Sequence, residues 1–304
     1  MTHTAGFACL VGRPNVGKSS LTNALVGEKV AITSPRPQTT RHAVRGIVNM
    51  DQAQLILVDT PGLHKPRTLL GERLNDLVRT TWAEVDVVGL CLPADQRPGP
   101  GDRYLATEIA KLRADRVVLI VTKMDLVDRA AGAEALAAAS AMCDSVGLVP
   151  DDVVPVSVVS GENIDVLAEV LAAALPPGPA LYPEGVLTDE PEETLVAELI
   201  REAALAGARE ELPHSIAVTV DEMSPRQDRP ESKPLLDVHA TIHVERESQK
   251  PIIIGKGGSR LRQIGAGARG QIERLLGTPV YLSLHVRVAK EWQRDPKQLK
   301  RLGF

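Results

Sequence analysis

The chain of 304 residues is long enough for about two domains at roughly 150 residues each. With 43% hydrophobic and 24% charged residues it has the composition of a globular protein, and two Trp, three Tyr and two Phe leave Leu, Val, Ile and Ala to build the cores. So few aromatics argue against binding nucleic acid by stacking bases on a platform. The longest apolar runs, Val85–Leu92 and Val117–Val121, fall far short of the ~20 residues a membrane helix needs. Met1 to Gly6 carries no basic region, so no cleaved signal and a cytosolic location are expected. Cys9, Cys91 and Cys143 are too scattered for a disulfide framework or a ligand pair and are expected as buried thiols. The net charge of -4 hides an asymmetry: Arg246–Phe304 sums to +9, from 13 basic and 4 acidic residues, and the rest to -13. A basic C-terminal part suits an acidic partner, nucleic acid or a membrane surface, with a solvated charged face as the alternative.

In chain order, strands are predicted at Phe7–Val11, Val44–Asn49, Leu55–Val58, Val85–Leu92, Val117–Thr122 and Val153–Ser157. Helical stretches fill most gaps, including Gly132–Cys143 and Asn163–Leu175. This alternation predicts an α/β fold, a mostly parallel sheet with helices on both faces. The connection at Met50-Asp51-Gln52 is too short for a crossover, so one antiparallel edge strand is expected. The first domain is taken as residues 1–175. Residues 176–193, with five prolines and five acidic residues, read as a stiff linker. A helix Thr194–Leu212, strands Ile216–Glu222 and Leu235–Val244, the run Ile252-Ile253-Ile254, a helix Ser259–Leu276 and a strand Val280–Val288 follow. They give an α+β unit of order α-β-β-α-α-β over 194–290, ahead of a basic tail 291–304. Gly265, Gly267 and Gly270 are expected to fray or bend the long helix.

Gly12-Arg13-Pro14-Asn15-Val16-Gly17-Lys18-Ser19, followed by Ser20, fits GxxxxGK plus Ser or Thr between a strand and a helix. Backbone N–H groups of such a loop wrap phosphates, Lys18 reaches the β and γ phosphates, and the Ser19 hydroxyl ligates magnesium. Asp59-Thr60-Pro61-Gly62 ends a strand, placing a carboxylate beside the metal and a glycine amide near the γ phosphate. Thr122-Lys123-Met124-Asp125 ends another, where Asp125 can accept from N1–H and the exocyclic amine of guanine, a donor pair adenine lacks. The ordered trio is far more specific than any one motif.

With these motifs the sequence resembles the Era family of ribosome-associated GTPases, over essentially the whole chain. Pro37-Gln38-Thr39-Thr40-Arg41-His42 looks like the family's first switch and Ser157-Val158-Val159-Ser160-Gly161-Glu162-Asn163 like its last guanine-contacting loop. Leu181-Tyr182-Pro183 and Arg209-Glu210-Glu211-Leu212-Pro213-His214 are also similar. The resemblance implies that Thr40, with Thr39 as second choice, closes on magnesium; Lys18, Thr40, Asp59 and Gly62 are the expected catalytic set. Three departures bear on function. Thr122 stands where the family has Asn, and a hydroxyl is too short to keep both the phosphate-loop and the guanine N7 contacts of an amide. Val158 replaces a small Ala beside the guanine carbonyl. Leu63 follows DTPG where many small GTPases place a water-orienting Gln, so turnover is expected to be slow without a partner. Asn15 sits where related loops bind potassium; a turn asparagine is the alternative.

Gly255-Lys256-Gly257-Gly258 lies between two helices of the second unit, which then looks like a type II KH domain clamping a single-stranded RNA backbone. Ile254 and the four loop residues, with Arg260, Arg262, Arg269 and Lys290, are the expected RNA contacts. Arg287, Arg294, Lys297, Lys300 and Arg301 extend the basic face, or form a solvated tail. The resemblance implies a monomeric GTP- and GDP-binding switch that hydrolyses GTP to GDP and phosphate. It further implies binding near the 3′ end of small-subunit (16S) ribosomal RNA during 30S assembly, and optional peripheral contact with the inner membrane. The rivals are an RNA-binding scaffold with little turnover, separated by whether RNA affinity differs between GDP and a GTP analogue, and a tRNA-modifying GTPase, which no added catalytic domain or terminal reactive cysteine supports.

Overall fold

The β-branched runs of the first half form six strands: β1 (Thr4–Val11), β2 (Val44–Met50), β3 (Ala53–Asp59), β4 (Val87–Pro93), β5 (Arg116–Thr122) and β6 (Asp152–Pro155). The computed structural model describes residues 3–34, 39–63, 66, 68–112, 116–206, 215–227, 229–230 and 232–304. The expected Pro37, Gln38 and the element 209–214, with the predicted end of its helix, lie outside them. The sheet order is β2-β3-β1-β4-β5-β6, and every pairing is parallel except β2 with β3, the expected antiparallel edge. Helices α1 (Lys18–Val26) and α5 (Ile164–Ala173) cover one face, burying Leu21, Leu25, Leu167 and Leu171 on Leu10, Leu57 and Ile120. The other face takes α2 (Leu69–Glu84), α3 (Pro100–Leu112) and α4 (Arg129–Ser145), through Val78, Trp82, Leu105, Ile109 and Met142. Both faces are therefore dry, and the strands are apolar on both sides rather than alternating. The three cysteines are free and buried, and burial pushes the thiols of Cys91 and Cys143 up to about 12 and about 11, which keeps them protonated.

The chain divides between Asp189 and Glu190 rather than at residue 175. Residues 176–189 are not a free connector, because the first unit binds their backbone. Ala5 N donates to Pro176 O (3.1 Å), Gly178 N to His3 O (3.0 Å) and Ile47 N to Leu187 O (2.8 Å). Gln54, 2% exposed, accepts from Leu181 N (2.7 Å) and Tyr182 N (2.8 Å) and donates to Tyr182 O (2.9 Å) and Asn49 Oδ1 (2.8 Å). Asp189 accepts from Arg45 (2.8 Å) and Tyr182 (2.7 Å), and those bonds with the Arg45 charge hold its carboxyl below the usual range despite partial burial.

In the second unit, α6 (Glu192–Leu205), β7 (Ala217–Pro225), β8 (Leu236–Val244), α7 (Lys250–Ile254), α8 (Ser259–Leu276) and β9 (Val280–Val288) run in the predicted order. The sheet is β7-β8-β9, antiparallel then parallel. Helix α8 is continuous through its three glycines, so the expected fraying does not occur. A Cβ at Gly267 would lie 3.8 Å from Ala203 Cβ of α6 and one at Gly265 3.6 Å from Leu284 Cδ1, ordinary contact distances that a side chain would fit, so the glycines are not needed for space and packing on α6 and β9 offsets their propensity cost. Residues 291–304 are likewise no solvated tail. Trp292 is fully buried, donates to Ser215 O (3.0 Å) and stacks on Phe304 at 5.4 Å; α9 (Pro296–Arg301), capped by Asp295, buries Leu299. No helix among the described residues is long and apolar enough to cross a membrane.

Replacing Gln54 by Ala strands the amides of Leu181 and Tyr182. The variant is expected to lose roughly 2 kcal/mol in urea denaturation and to become sensitive to proteolysis within 176–189.

Candidate functional site

Strand β1 ends at Val11 and α1 begins at Lys18, so the six residues between must turn the chain without repeating structure. Asn15 (φ 64°) and Gly17 (φ 104°) take left-handed conformations, and a Cβ on Gly12 would meet Cys91 O at 2.7 Å. The loop is held from three sides. Thr122 Oγ1 donates to Val16 O at 2.7 Å from the end of β5. Arg13 Nε donates to Asp102 at 2.7 Å; Asp102 is fully buried in the first turn of α3 and also accepts from Gly99 N at 2.8 Å. Lys18 Nζ donates to Gly12 O (2.9 Å) and Arg13 O (3.1 Å), and burial pushes its pKa down against the opposing pull of Asp59.

Below the loop lies an oxygen cluster. Ser19 Oγ and Thr40 Oγ1 donate to Asp59 Oδ2 at 2.6 and 3.2 Å and stand 3.0 Å from each other. Asp59 is fully buried and its Oδ1 has no hydrogen-bond partner; burial raises its pKa, countered by Ser19, Lys18 and Thr40. A cleft of about 480 Å³ opens here, lined by Pro14, Asn15, Gly17, Lys18, Ser19, Ser20, Thr39, Thr40, Gly62 and Lys123 of the predicted set. Ile32, Thr33 and Ser34 also line it. Sequence reasoning missed them; the signal was Asn23, whose side chain binds Val30 N, Ala31 N and Ala31 O and so fixes the path out of α1.

At the far end, Ser157 Oγ donates to Asp125 Oδ1 at 2.6 Å and accepts from Ser160 N at 3.2 Å, tying the two predicted base loops together. Val158 is 38% exposed, so its extra bulk displaces no core. Thr60 and Pro61 are buried beside Asp59, and Met124 and Leu63 pack on the core below. Two side chains of the predicted nucleotide-binding residues point away from the cleft. Arg13 is committed to Asp102 and, at 3.3 Å, to Gln96, because a carboxylate with no solvent needs a cation. Leu63 lies against apolar side chains rather than in the cleft.

In the second unit Gly255, Gly257 and Gly258 have φ of 71°, 56° and 74°, with Lys256 exposed among them. A Cβ on Gly255 would come within 2.8 Å of Arg260 N, so the loop closes only with glycine there. Ile254, Gly255 and Lys256 border a shallow pocket of about 430 Å³ with Lys250 and Pro251. Arg262, Arg269 and Lys290 are exposed, but Arg260 is turned away from the loop. Its Nη2 donates to Ala204 O (3.3 Å) and Ala206 O (3.4 Å), carbonyls that the end of α6 leaves open.

Arg13→Ala leaves Asp102 buried without its cation. A loss of roughly 3 kcal/mol is expected by chemical denaturation.

Comparison with known proteins agrees with this geometry. A family model described as 50S ribosome-binding GTPase matches residues 7–123, and one described as KH domain matches 211–293. GTPase Era of Streptomyces coelicolor is 67% identical over 99% of this chain and 95% of its own length, and that of Mycobacterium avium 65% over 99% and 98%. Among solved structures, Era in complex with MgGDPNP and nucleotides 1506–1542 of 16S ribosomal RNA is 37% identical with a TM-score of 0.93 over 99% of both chains. An Aquifex aeolicus Era variant bound to GDP and aluminium fluoride is 36% identical at 0.92, again over 99% of both. A GTPase unit and a KH unit in this order, matched along the full length, place the chain in the Era family of GTPases.

Proposed function

We propose that this chain is a GTP-hydrolysing switch that binds small-subunit ribosomal RNA near its 3′ end and assists 30S assembly. One observation carries the reading: a phosphate loop with a Ser19–Thr40–Asp59 cluster and a glycine-built GKGG loop occur in one chain. That chain is similar end to end to an Era structure holding both MgGDPNP and a 16S fragment.

The amides of residues 15–19 face the phosphates, and Lys18 exchanges two loop carbonyls for phosphate oxygens. The cluster fits magnesium: hard oxygen donors within hydrogen-bonding distance of one another, with the second carboxylate oxygen of Asp59 buried beside them without a partner. Ser19 and Thr40 would hold the ion and Asp59 would orient them; the ion would supply charge neutralisation on the phosphates. Ser157 fixes Asp125 so that its carboxylate accepts from the guanine donor pair. With Leu63 packed on apolar neighbours, no side chain follows Gly62 to orient water, so unassisted turnover is slow. Exposed Asn15 keeps potassium in the proposal, and faster turnover in potassium than in sodium would support it.

The RNA-binding unit spans Glu190–Phe304 in this reading, with Gly257 admitting the phosphates and Lys256 and Arg262 supplying charge. A monomer in the cytoplasm is the corresponding state. Peripheral contact with the inner face of the membrane rests on the basic C-terminal part and is tested by flotation with anionic vesicles.

Asp125→Asn is expected to weaken GDP binding roughly ten- to hundredfold and to favour xanthosine diphosphate, read by competition binding. Replacing Lys256 and Gly257 by Asp puts negative charge and a strained left-handed residue into the GKGG loop. Affinity for a single-stranded RNA from the small-subunit 3′ end should collapse while basal turnover stays near that of the unaltered protein, and any RNA stimulation should vanish. Full RNA affinity in that double variant would overturn the RNA-binding assignment.

A further inference from the structure

Thr122 closes β5 between the phosphate loop and the base reader Asp125. Its side chain is 4% exposed, and Oγ1 donates to Val16 O at 2.7 Å, with Leu92 O at 3.4 Å as the second acceptor. A hydroxyl has one proton. Both acceptors are backbone carbonyls, so whichever is favoured, that proton stays with the protein.

The residues that follow Thr122 on this loop are engaged elsewhere or lack a proton to give. Met124 N donates to Val156 O (3.2 Å), Lys123 Nζ faces Asp95 Oδ1 at 3.9 Å, and an ionised Asp125 can only accept. Guanine N7 is an acceptor and needs a donor. An amide at position 122 would have two protons, one for the Val16 carbonyl and one to spare; the hydroxyl has none to spare.

Resting on the reading that Asp125 holds the base, we propose that this site reads guanine at its N1 and exocyclic amine and leaves N7 uncontacted. Thr122 is then a positioning residue for the phosphate loop. The ligand class widens accordingly, to guanosine nucleotides in which a C–H replaces N7.

The test is equilibrium binding of GDP and 7-deazaguanosine diphosphate to the unaltered protein. Equal affinities, within about twofold, are expected; a preference for GDP of tenfold or more would overturn the proposal. Thr122→Asn should create a preference for GDP of about three- to tenfold, the contribution of one hydrogen bond. A ratio still at one in that variant would mean that Thr122 does not face this edge of the base. Thr122→Val should weaken both nucleotides alike, with Thr122→Ser restoring them, whereas unchanged binding in Thr122→Val would defeat the positioning role. Failure of the underlying reading looks different: Asp125→Asn would then leave the preference for GDP over xanthosine diphosphate unmoved.

Discussion

A phosphate loop has to keep several backbone N–H groups pointing into one cavity while belonging to no helix or sheet that would hold them there. That constraint organises the first unit. Left-handed Asn15 and Gly17 turn the amides inward, but a turn alone would relax. The two attachments near its ends, Arg13 to a buried carboxylate of α3 and Val16 to the last residue of β5, both come from the β4–β5 side of the sheet order, from a helix start and a strand end. The strand ends and helix starts that carry Asp59, Asp102 and Thr122 are therefore the scaffold of the loop as much as its chemistry.

The GKGG loop solves a related problem in the opposite sense. Its three left-handed glycines keep side chains off the backbone, the property that a KH-type loop needs to clamp phosphates. Rigidity comes from Gly258 N donating to Gly255 O and from α8, whose Arg260 closes the end of α6. A guanidinium predicted to meet RNA thus serves the fold, and the charge at the loop falls on Lys256 and Arg262, both exposed.

Much of this was legible in the sequence, for physical reasons. Strands buried on both faces read as continuous apolar runs, and each nucleotide motif sits at a strand end, which is where a ligand can reach it. What escaped depends on partners distant in the chain. Val85 and Asp86 look like the start of β4, yet Asp86 leaves the strand to accept from Phe7 N at 2.8 Å. Asp102 looks like an ordinary first-turn acid until Arg13 is found 2.7 Å away. Residues 176–189 have the composition of a tether, and nothing local announces that Gln54 will bind them. Trp292 and Phe304 meet each other across a basic, polar segment that reads as solvated.

The placement of residues 186–189 has a consequence for the behaviour of the protein in a crowded solution. Strand β2 ends the sheet, and an uncovered edge offers its backbone donors and acceptors to any strand-like segment of another molecule. Here Leu187 O takes Ile47 N, Val186 O takes the Asn49 side chain, and Asp189 takes Arg45, so one stretch occupies the edge along most of its length. The connector to the second unit therefore also shields the β2 edge of the first unit's sheet from pairing with another molecule.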